Sequence, residues 1–295
     1  LELRSLTRKY YDLTDERSAH INKLKGDLHT VFPQYLDVFC DVTGKTSTMI
    51  LRQYGTPDKI LRGHKKTMIE KISKASRKGL AKASERYEKL CAAANAAKTF
   101  GCQIDSIYFN IFLTLDLVEK LDSALDSILN RIRQLITFNK NEKFIQQIKL
   151  LNTIPGVGFL TAVTIMCEIG DFSAFRNPKQ LFAYFGLDPE VNESGKFVGT
   201  QLHMSKRGSR IARRAIFAVA LASIRTKRNG EGINPYLRKY YELKSGQKPK
   251  MVAIGAVMHK VCNIVFAVLR DEKAFELRSP EEHCKQYQRP ALAAA

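Results

Sequence analysis

Apolar residues recur every three or four positions along most of this chain, the spacing that lines one face of an α-helix. Over residues 1–31 the row is Leu3, Leu6, Tyr10, Leu13, Arg17, Ile21, Leu24 and Leu28, and Pro33 stops it, so one long first helix is predicted. Residues 34–64 are interrupted at Gly44, Gly55, Pro57 and Gly63 and predict short helical pieces; residues 65–98 predict two more helices, basic on their exposed faces. The clearest repeat is Ile104, Ile107, Ile111, Thr114, Val118, Leu121, Leu125, Ile128, Ile132 and Leu135. A helix of that span is roughly 50 Å long. Its stripe fits two arrangements, the seam of a coiled coil with a second copy or one face of a bundle within the chain. A further helix ends near Asn152, the turn Ile-Pro-Gly-Val-Gly follows, and an apolar helix runs from Phe159 to Ile169. Gly195–His203 alternates and predicts a short hairpin or loop. Helices are then expected at Ser209–Arg228 and Lys250–Arg270, the second with Val252, Ala256, His259 and Ala267 facing the core. The fold class is mainly α: a long coiled-coil-like helical region, then a helical domain with a helix-hairpin-helix-like turn and little β. The divisions expected are 1–142 for a helical linker and dimerisation region, 143–276 for the second domain, and 277–295 for a disordered tail.

Charge changes this picture. The 295 residues carry 48 Lys+Arg against 29 Asp+Glu, a net charge of +19. Residues 196–250 alone hold 14 Lys/Arg and two acids, Glu231 and Glu242. A solvated basic face interleaves acids for balance; a concentrated excess points to an acidic partner, and nucleic acid is the commonest polyanion. Six cysteines show no CxxC pair and no His-Cys metal spacing, which fits reduced cysteines and a cytoplasmic protein. No metal site is expected on this chain. No apolar run of membrane-span length is read, Ala215–Ile224 being too short, so no membrane partner is expected. No signal peptide is visible, and the chain starts Leu-Glu-Leu in mid-periodicity, as a fragment of something longer would.

The local chemistry gathers between residues 154 and 214. Val-Thr-Gly-Lys-Thr-Ser-Thr at 42–48 invites a phosphate-loop reading, but Phe39 stands where the required first glycine belongs. In the turn before Phe159, Gly156 and Gly158 could let backbone amides approach a phosphate, or could serve only to pack two helices. Ser209 is a good N-cap, and Arg210, Arg213 and Arg214 fall in the turns after it. Cations there oppose the helix dipole by roughly 0.3–1 kcal/mol each. No acid lies between Gly195 and Gly230, so an external anion is the expected counter-charge. Lys196, Lys206, Arg207, Arg210, Arg213, Arg214, Gly156 and Gly158 are the candidate nucleic-acid contacts. His203 and His259 lack partners at catalytic spacing and read as structural.

In order along the chain stand IPGVG, DFSAFRNPKQLFAYFGLDP, ESG, MSKRGSRIARRAIF and KPKMVAIGAVMHKVCNIVFAVL. Together these pieces resemble the C-terminal domain of the DEDD-type insertion-sequence transposases, the serine-containing family guided by a bridge RNA. The N-terminal stretch LRSLTRKYYDLTDERSAHINKLK is similar to the helical segment that follows that family's nuclease-like domain. The resemblance implies that residues 143–276 are a transposase domain and that Ser194, in ESG, is a nucleophile forming a phosphoserine link to DNA. It implies DNA and a guide RNA as partners, and a homo-oligomer, dimer or tetramer. The family's RNase-H-like domain, with four acidic metal ligands, has no counterpart in this sequence; Asp12, Asp15 and Asp27 do not match its motif. Mg²⁺ is therefore expected on that absent domain and not on this chain. Two other readings stand beside this one: a nucleic-acid-binding module without chemistry of its own, and a helical assembly protein.

Overall fold

A computed structural model of the chain describes all residues except 101, 103, 191–192, 195–196, 199–202, 280 and 283–295, and the side chains of 100, 193–194 and 197–198. In order come α1 (Glu2–Val31), α2 (Tyr35–Val38), α3 (Lys45–Gln53), α4 (Pro57–Arg62), α5 (Lys65–Ser76), α6 (Leu80–Phe100), α7 (Asp105–Thr137), α8 (Glu142–Asn152) and α9 (Phe159–Ile169). A single 3₁₀ turn (Phe172–Ala174) leads to α10 (Pro178–Tyr184), the strands β1 (Glu193–Ser194) and β2 (Phe197–Val198), then α11 (Arg210–Ser223), α12 (Pro235–Ser245) and α13 (Lys250–Asp271). The fold is mainly α, and β1 and β2 form a two-stranded antiparallel ribbon.

Contacts divide the chain into two units, one of residues 9–130 and one of residues 1–8 with 131–295. In the first, a core of Leu24, Leu28, Phe32, Tyr35, Ile50, Leu51, Met68 and Leu90, among others, joins α1 to α7 through the short helices between them. Of the residues that suggested a phosphate loop, Val42 belongs to this core. Thr46 and Ser47 are buried, and the Tyr35 hydroxyl lies 2.9 Å from Ser47 Oγ, within hydrogen-bond reach. Burial pushes the Tyr35 phenol well above its ordinary value, so it stays a neutral partner there.

The middle of the α7 stripe is buried in this unit. Ile111, Thr114, Val118 and Leu125 are buried, Arg17 of α1 pairs with Asp122, and Arg52 of α3 reaches Asp116 at 2.6 Å and Glu119 at 2.9 Å. Of the two arrangements open for the stripe, the bundle within the chain is the one these contacts make. A different row, Phe109, Leu113 and Leu117, is exposed.

In the other unit α13 packs against α8, α10, α11 and α12. It is 22 residues long and apolar enough to cross a membrane by length and composition, contrary to the reading that no such run exists; His259, Lys260 and Asn263 break up its apolar run in the sequence. Ten of its residues, from Ala253 to Leu269, are buried in this packing. The buried face is not the one expected: Val252 is half exposed and His259 exposed, whereas Val257, Val261 and Val265 are buried. The helix expected at 209–228 ends earlier, at Ser223. Arg238 Nη1 takes up the carbonyl of Ile224 at 2.9 Å, and Thr226 bridges to Gly232. α10 and α12 were not foreseen. Each opens with an Asn-Pro pair, Asn177-Pro178 and Asn234-Pro235, in which Asn caps and Pro supplies the fixed first helical φ. The five described cysteines Cys40, Cys91, Cys102, Cys167 and Cys262 are free thiols. The tail expected to be disordered lies, from 283 on, outside the described residues.

Val118 and Leu117 separate the two arrangements of α7. Val118→Asp should cost about 3 kcal/mol or more by burying an unpaired charge. Leu117→Asp, at a position 42% exposed, should stay within about 0.5 kcal/mol. Urea denaturation at low and high protein concentration is the check. A midpoint that rises with concentration in the unmutated chain, and ceases to in Val118→Asp, would mean that the stripe is a seam between copies.

Candidate nucleic-acid interface

The arm that carries Ser194 is fixed at its base by backbone. After α10, Phe185 is fully buried and Gly186 turns with φ +66°. A Cβ on Gly208 would lie 2.0 Å from the Tyr184 carbonyl oxygen, and one on Gly186 2.4 Å from Gly208 N. The two chains therefore cross where only glycine fits. From the crossing outward they pair antiparallel. Lys206 N–H donates to Gly186 O (3.1 Å), Ser205 N–H to Asp188 O (2.8 Å) and Glu190 N–H to His203 O (2.7 Å), with a bridge between Pro189 and Met204. Ser205 Oγ adds a bond to Asp188 Oδ1 at 2.6 Å. Further out, β1 and β2 pair Glu193 with Val198 and Ser194 with Phe197. Ser194 thus closes the first strand of a hairpin, and Lys196 lies outside the described residues.

The same crossing delivers the chain to α11. Lys206, with a positive φ of 55°, and Arg207 are exposed just before it; Arg210 is exposed, and Arg213 and Arg214 are partly buried in its first turns. Arg213 Nη1 donates to the Phe185 carbonyl at 3.1 Å, so this cation also braces the base of the arm. Ser209 is the N-cap: its Oγ accepts from Ala212 N–H at 3.1 Å.

A buried carboxylate reaches the cap of this basic helix from inside the fold. Ser209 Oγ donates to Glu168 Oε2 at 2.7 Å. Glu168 sits at the end of α9 with its side chain wholly buried. It also accepts from Arg8 Nε (2.8 Å) and Nη2 (3.0 Å) and from Arg4 Nη2 (3.2 Å), residues one turn apart on α1. Its own carbonyl accepts from the Tyr184 hydroxyl at 3.0 Å. Burial pushes the Glu168 carboxyl up, but the hydrogen bonds from Arg8, Arg4 and Ser209 outweigh it and hold the group at about 2. Glu168 is bonded to two arginines of α1 and reaches α11 through its cap, Ser209. A search confined to Gly195–Gly230 could not find an acid contributed by a helix some forty residues upstream. Its signal was there: a single carboxylate in the otherwise acid-free Phe159–Ile169 run.

The Ile154–Gly158 turn joins α8 to α9, which pack on each other. Gly156 has φ +97°, and a Cβ there would meet Ser223 Oγ at 2.8 Å and Ser223 N at 3.0 Å. Ser223 Oγ also donates to the Pro155 carbonyl at 2.9 Å. Gly156 is therefore a packing glycine set against the end of α11. Gly158 is exposed with nothing near its Cβ position and caps α9 without a side chain. Among the described residues no group of three or more His, Cys, Asp or Glu gathers as a metal site.

Three predictions follow from Glu168 and Gly208. Replacing Arg4 and Arg8 together by alanine strands a buried carboxylate and should cost about 3 kcal/mol at neutral pH. Because the folded carboxyl is held at about 2, below an ordinary value of about 4.3, its contribution is complete above that ordinary value and is lost as pH falls towards 2. Glu168→Gln should therefore flatten stability against pH across that window in stepwise urea melts; an unaltered acid limb would show that the carboxylate does not anchor this site. Gly208→Ala should cost about 3 kcal/mol or more, since backbone atoms at the crossing have nowhere to go. A melt within about 0.5 kcal/mol of the unmutated chain would refute the crossing.

Residues 148–242, which span α8 to most of α12, match the family model described as transposase IS116/IS110/IS902 family. The chain is 24% identical over 272 residues to an insertion element IS110 protein of Streptomyces coelicolor, covering 91% of this chain and 63% of that one. It is 30% identical over 177 residues to the pilin gene-inverting protein of Moraxella bovis, covering 60% and 52%. It is 26% identical over 188 residues to the transposase for insertion sequence element IS1111A of Coxiella burnetii, covering 62% and 50%. The chain thus spans half to under two thirds of the length of these relatives. The arm, the basic start of α11 and the buried Glu168 all fall within the segment similar to a transposase domain of the IS116/IS110/IS902 family.

Proposed function

We propose that this chain is the DNA-joining part of a cytoplasmic transposase or recombinase that breaks and reseals DNA through Ser194. The observation that carries this reading is the Gly186–Gly208 crossing, which ties the ribbon bearing Ser194 to the basic start of α11. A relative named for inverting a pilin gene and another named as a transposase support a recombination chemistry.

In the proposed step, Ser194 Oγ attacks a backbone phosphorus. The P–O bond to one sugar oxygen breaks, that oxygen leaves with a proton, and a phosphoserine diester forms. The serine proton passes to a base. A sugar hydroxyl of a second DNA end then attacks the phosphoserine and releases Ser194. One phosphodiester is exchanged for another at each stage, so no ATP is consumed. Lys196, Lys206, Arg207 and Arg210 hold the flanking phosphates, with Arg213 and Arg214 behind them and the open Gly158 amide at the start of α9 available to a further phosphate. Mg²⁺, held by an acidic domain outside this sequence, supplies charge neutralisation at the phosphate when bound. A structured guide RNA selects the strands, and copies of the chain assemble as a dimer or tetramer.

The test is a denaturing gel with labelled DNA, the chain being joined to an acidic metal-binding domain and supplied with Mg²⁺ and RNA. A covalent protein–DNA adduct is expected, lost in Ser194→Ala with DNA binding nearly intact. Ser209→Ala should lose about 1 kcal/mol of stability yet keep the adduct. An adduct that persists in Ser194→Ala, or maps to Ser205 or Tyr184, would overturn the assignment of the nucleophile. Binding without any adduct would favour a nucleic-acid-binding module.

A further inference from the structure

The chain's excess of positive charge is confined to two segments, one in each unit. Residues 196–250 hold an excess of twelve cations, and residues 59–89 hold 11 Lys/Arg against three acids, an excess of eight. The remaining residues carry 23 Lys/Arg and 24 Asp/Glu, so outside these segments the protein is neutral. A concentration of this kind implies an acidic partner more strongly than a basic average does. The second segment lies wholly in the unit of residues 9–130.

It folds as the α5–α6 hairpin, turned at Arg77, which takes the left-handed φ of 53°. Lys74, Arg77, Lys78 and Lys82 surround the turn with no acid among them, and all four are exposed. None of the four side chains has a hydrogen bond or ion pair among the described residues. Other cations of the segment are held: Lys89 by Glu85, and Lys65, Lys71 and Arg86 over the rings of Tyr87, Tyr54 and Phe39. Lys78, Lys82, Arg86 and Lys89 line a cleft against Asp37 and Glu85. Lys74, Lys78 and Lys82, spaced on both sides of the turn, match successive phosphates of a chain and not one small anion. Among the described residues Leu80 is the one large apolar side chain exposed on the hairpin, which gives a protein partner no apolar core to bury.

We propose that the α5–α6 hairpin is a second nucleic-acid-binding surface that grips a phosphodiester backbone through Lys74, Lys78 and Lys82. It extends the proposed function to the other unit and draws nothing from Ser194. Phosphate contacts of this kind carry no base sequence; they hold and orient a strand that the other unit acts on.

The full chain is titrated with a short DNA duplex and with an RNA hairpin across a salt series. Lys74→Ala, Lys78→Ala and Lys82→Ala together should make the dependence of log affinity on log salt shallower by about 2–3 units, one for each lost phosphate contact. Loss on the RNA probe alone, the DNA probe alone, or both identifies which backbone the hairpin holds. Lys23→Ala, Lys25→Ala and Lys120→Ala, which remove the same charge from exposed sites outside both segments, should leave the slope unchanged. Lys206→Ala with Arg207→Ala reads the first interface separately, so failure there does not touch the hairpin. An unchanged slope on both probes in the hairpin variant, with its circular dichroism intact, overturns the proposal. So does an equal loss in the control triple, which would mean that overall charge and not this surface sets binding.

Discussion

One buried carboxylate organises the unit that carries the basic arm. The Glu168 side chain is closed off from solvent, so its charge is tolerated only while Arg4, Arg8 and Ser209 remain in place. Those partners come from the start of α1 and the cap of α11, and the Tyr184 hydroxyl ties α10 to the Glu168 backbone. Four elements are thus brought to one point. A hydrophobic contact of the same size would bury area without fixing direction; a carboxylate with five donors at bonding distance fixes both.

What Glu168 anchors, the glycine crossing orients. Gly186 and Gly208 let two backbones touch, and the paired residues beyond them carry the hairpin outward from that contact. Arg213 spends its guanidinium on the Phe185 carbonyl and so belongs partly to this brace. The cations of this segment therefore differ in kind: Lys206 and Arg207 stand in solvent before the helix, whereas Arg213 is part of the frame. A solvent-facing cation costs little to hold and can release counter-ions to a polyanion; a framed one gives shape.

The long α7 stripe shows how an identical pattern serves two ends. A row of apolar residues at three- and four-residue spacing demands cover, and nothing in the row itself says whose. Here Ile111, Thr114, Val118 and Leu125 are buried within the chain, with Arg17 of α1 and Arg52 of α3 reaching acids on α7. The exposed Phe109, Leu113 and Leu117 lie on another face of the same helix.

The sequence by itself determined where helices run and where charge gathers. α1, α7, α9 and α13 have the spans that periodicity and Pro33 predict, because burial of one face is a local property of the pattern. The cap at Ser209 was equally legible, since capping needs only the residue and the amides that follow it. α10 and α12 carried readable Asn-Pro starts that periodicity alone passed over. Tertiary structure decided the rest. It chose which face of α13 is buried, gave Gly156 a packing task against Ser223, and stopped α11 at Ser223 by a bond from Arg238. It also paired Glu168 with two arginines some 160 positions away. These facts depend on which distant groups share one small volume. No local pattern encodes that, because the energy of a buried charge is set by its neighbours in space and not by its neighbours in the chain.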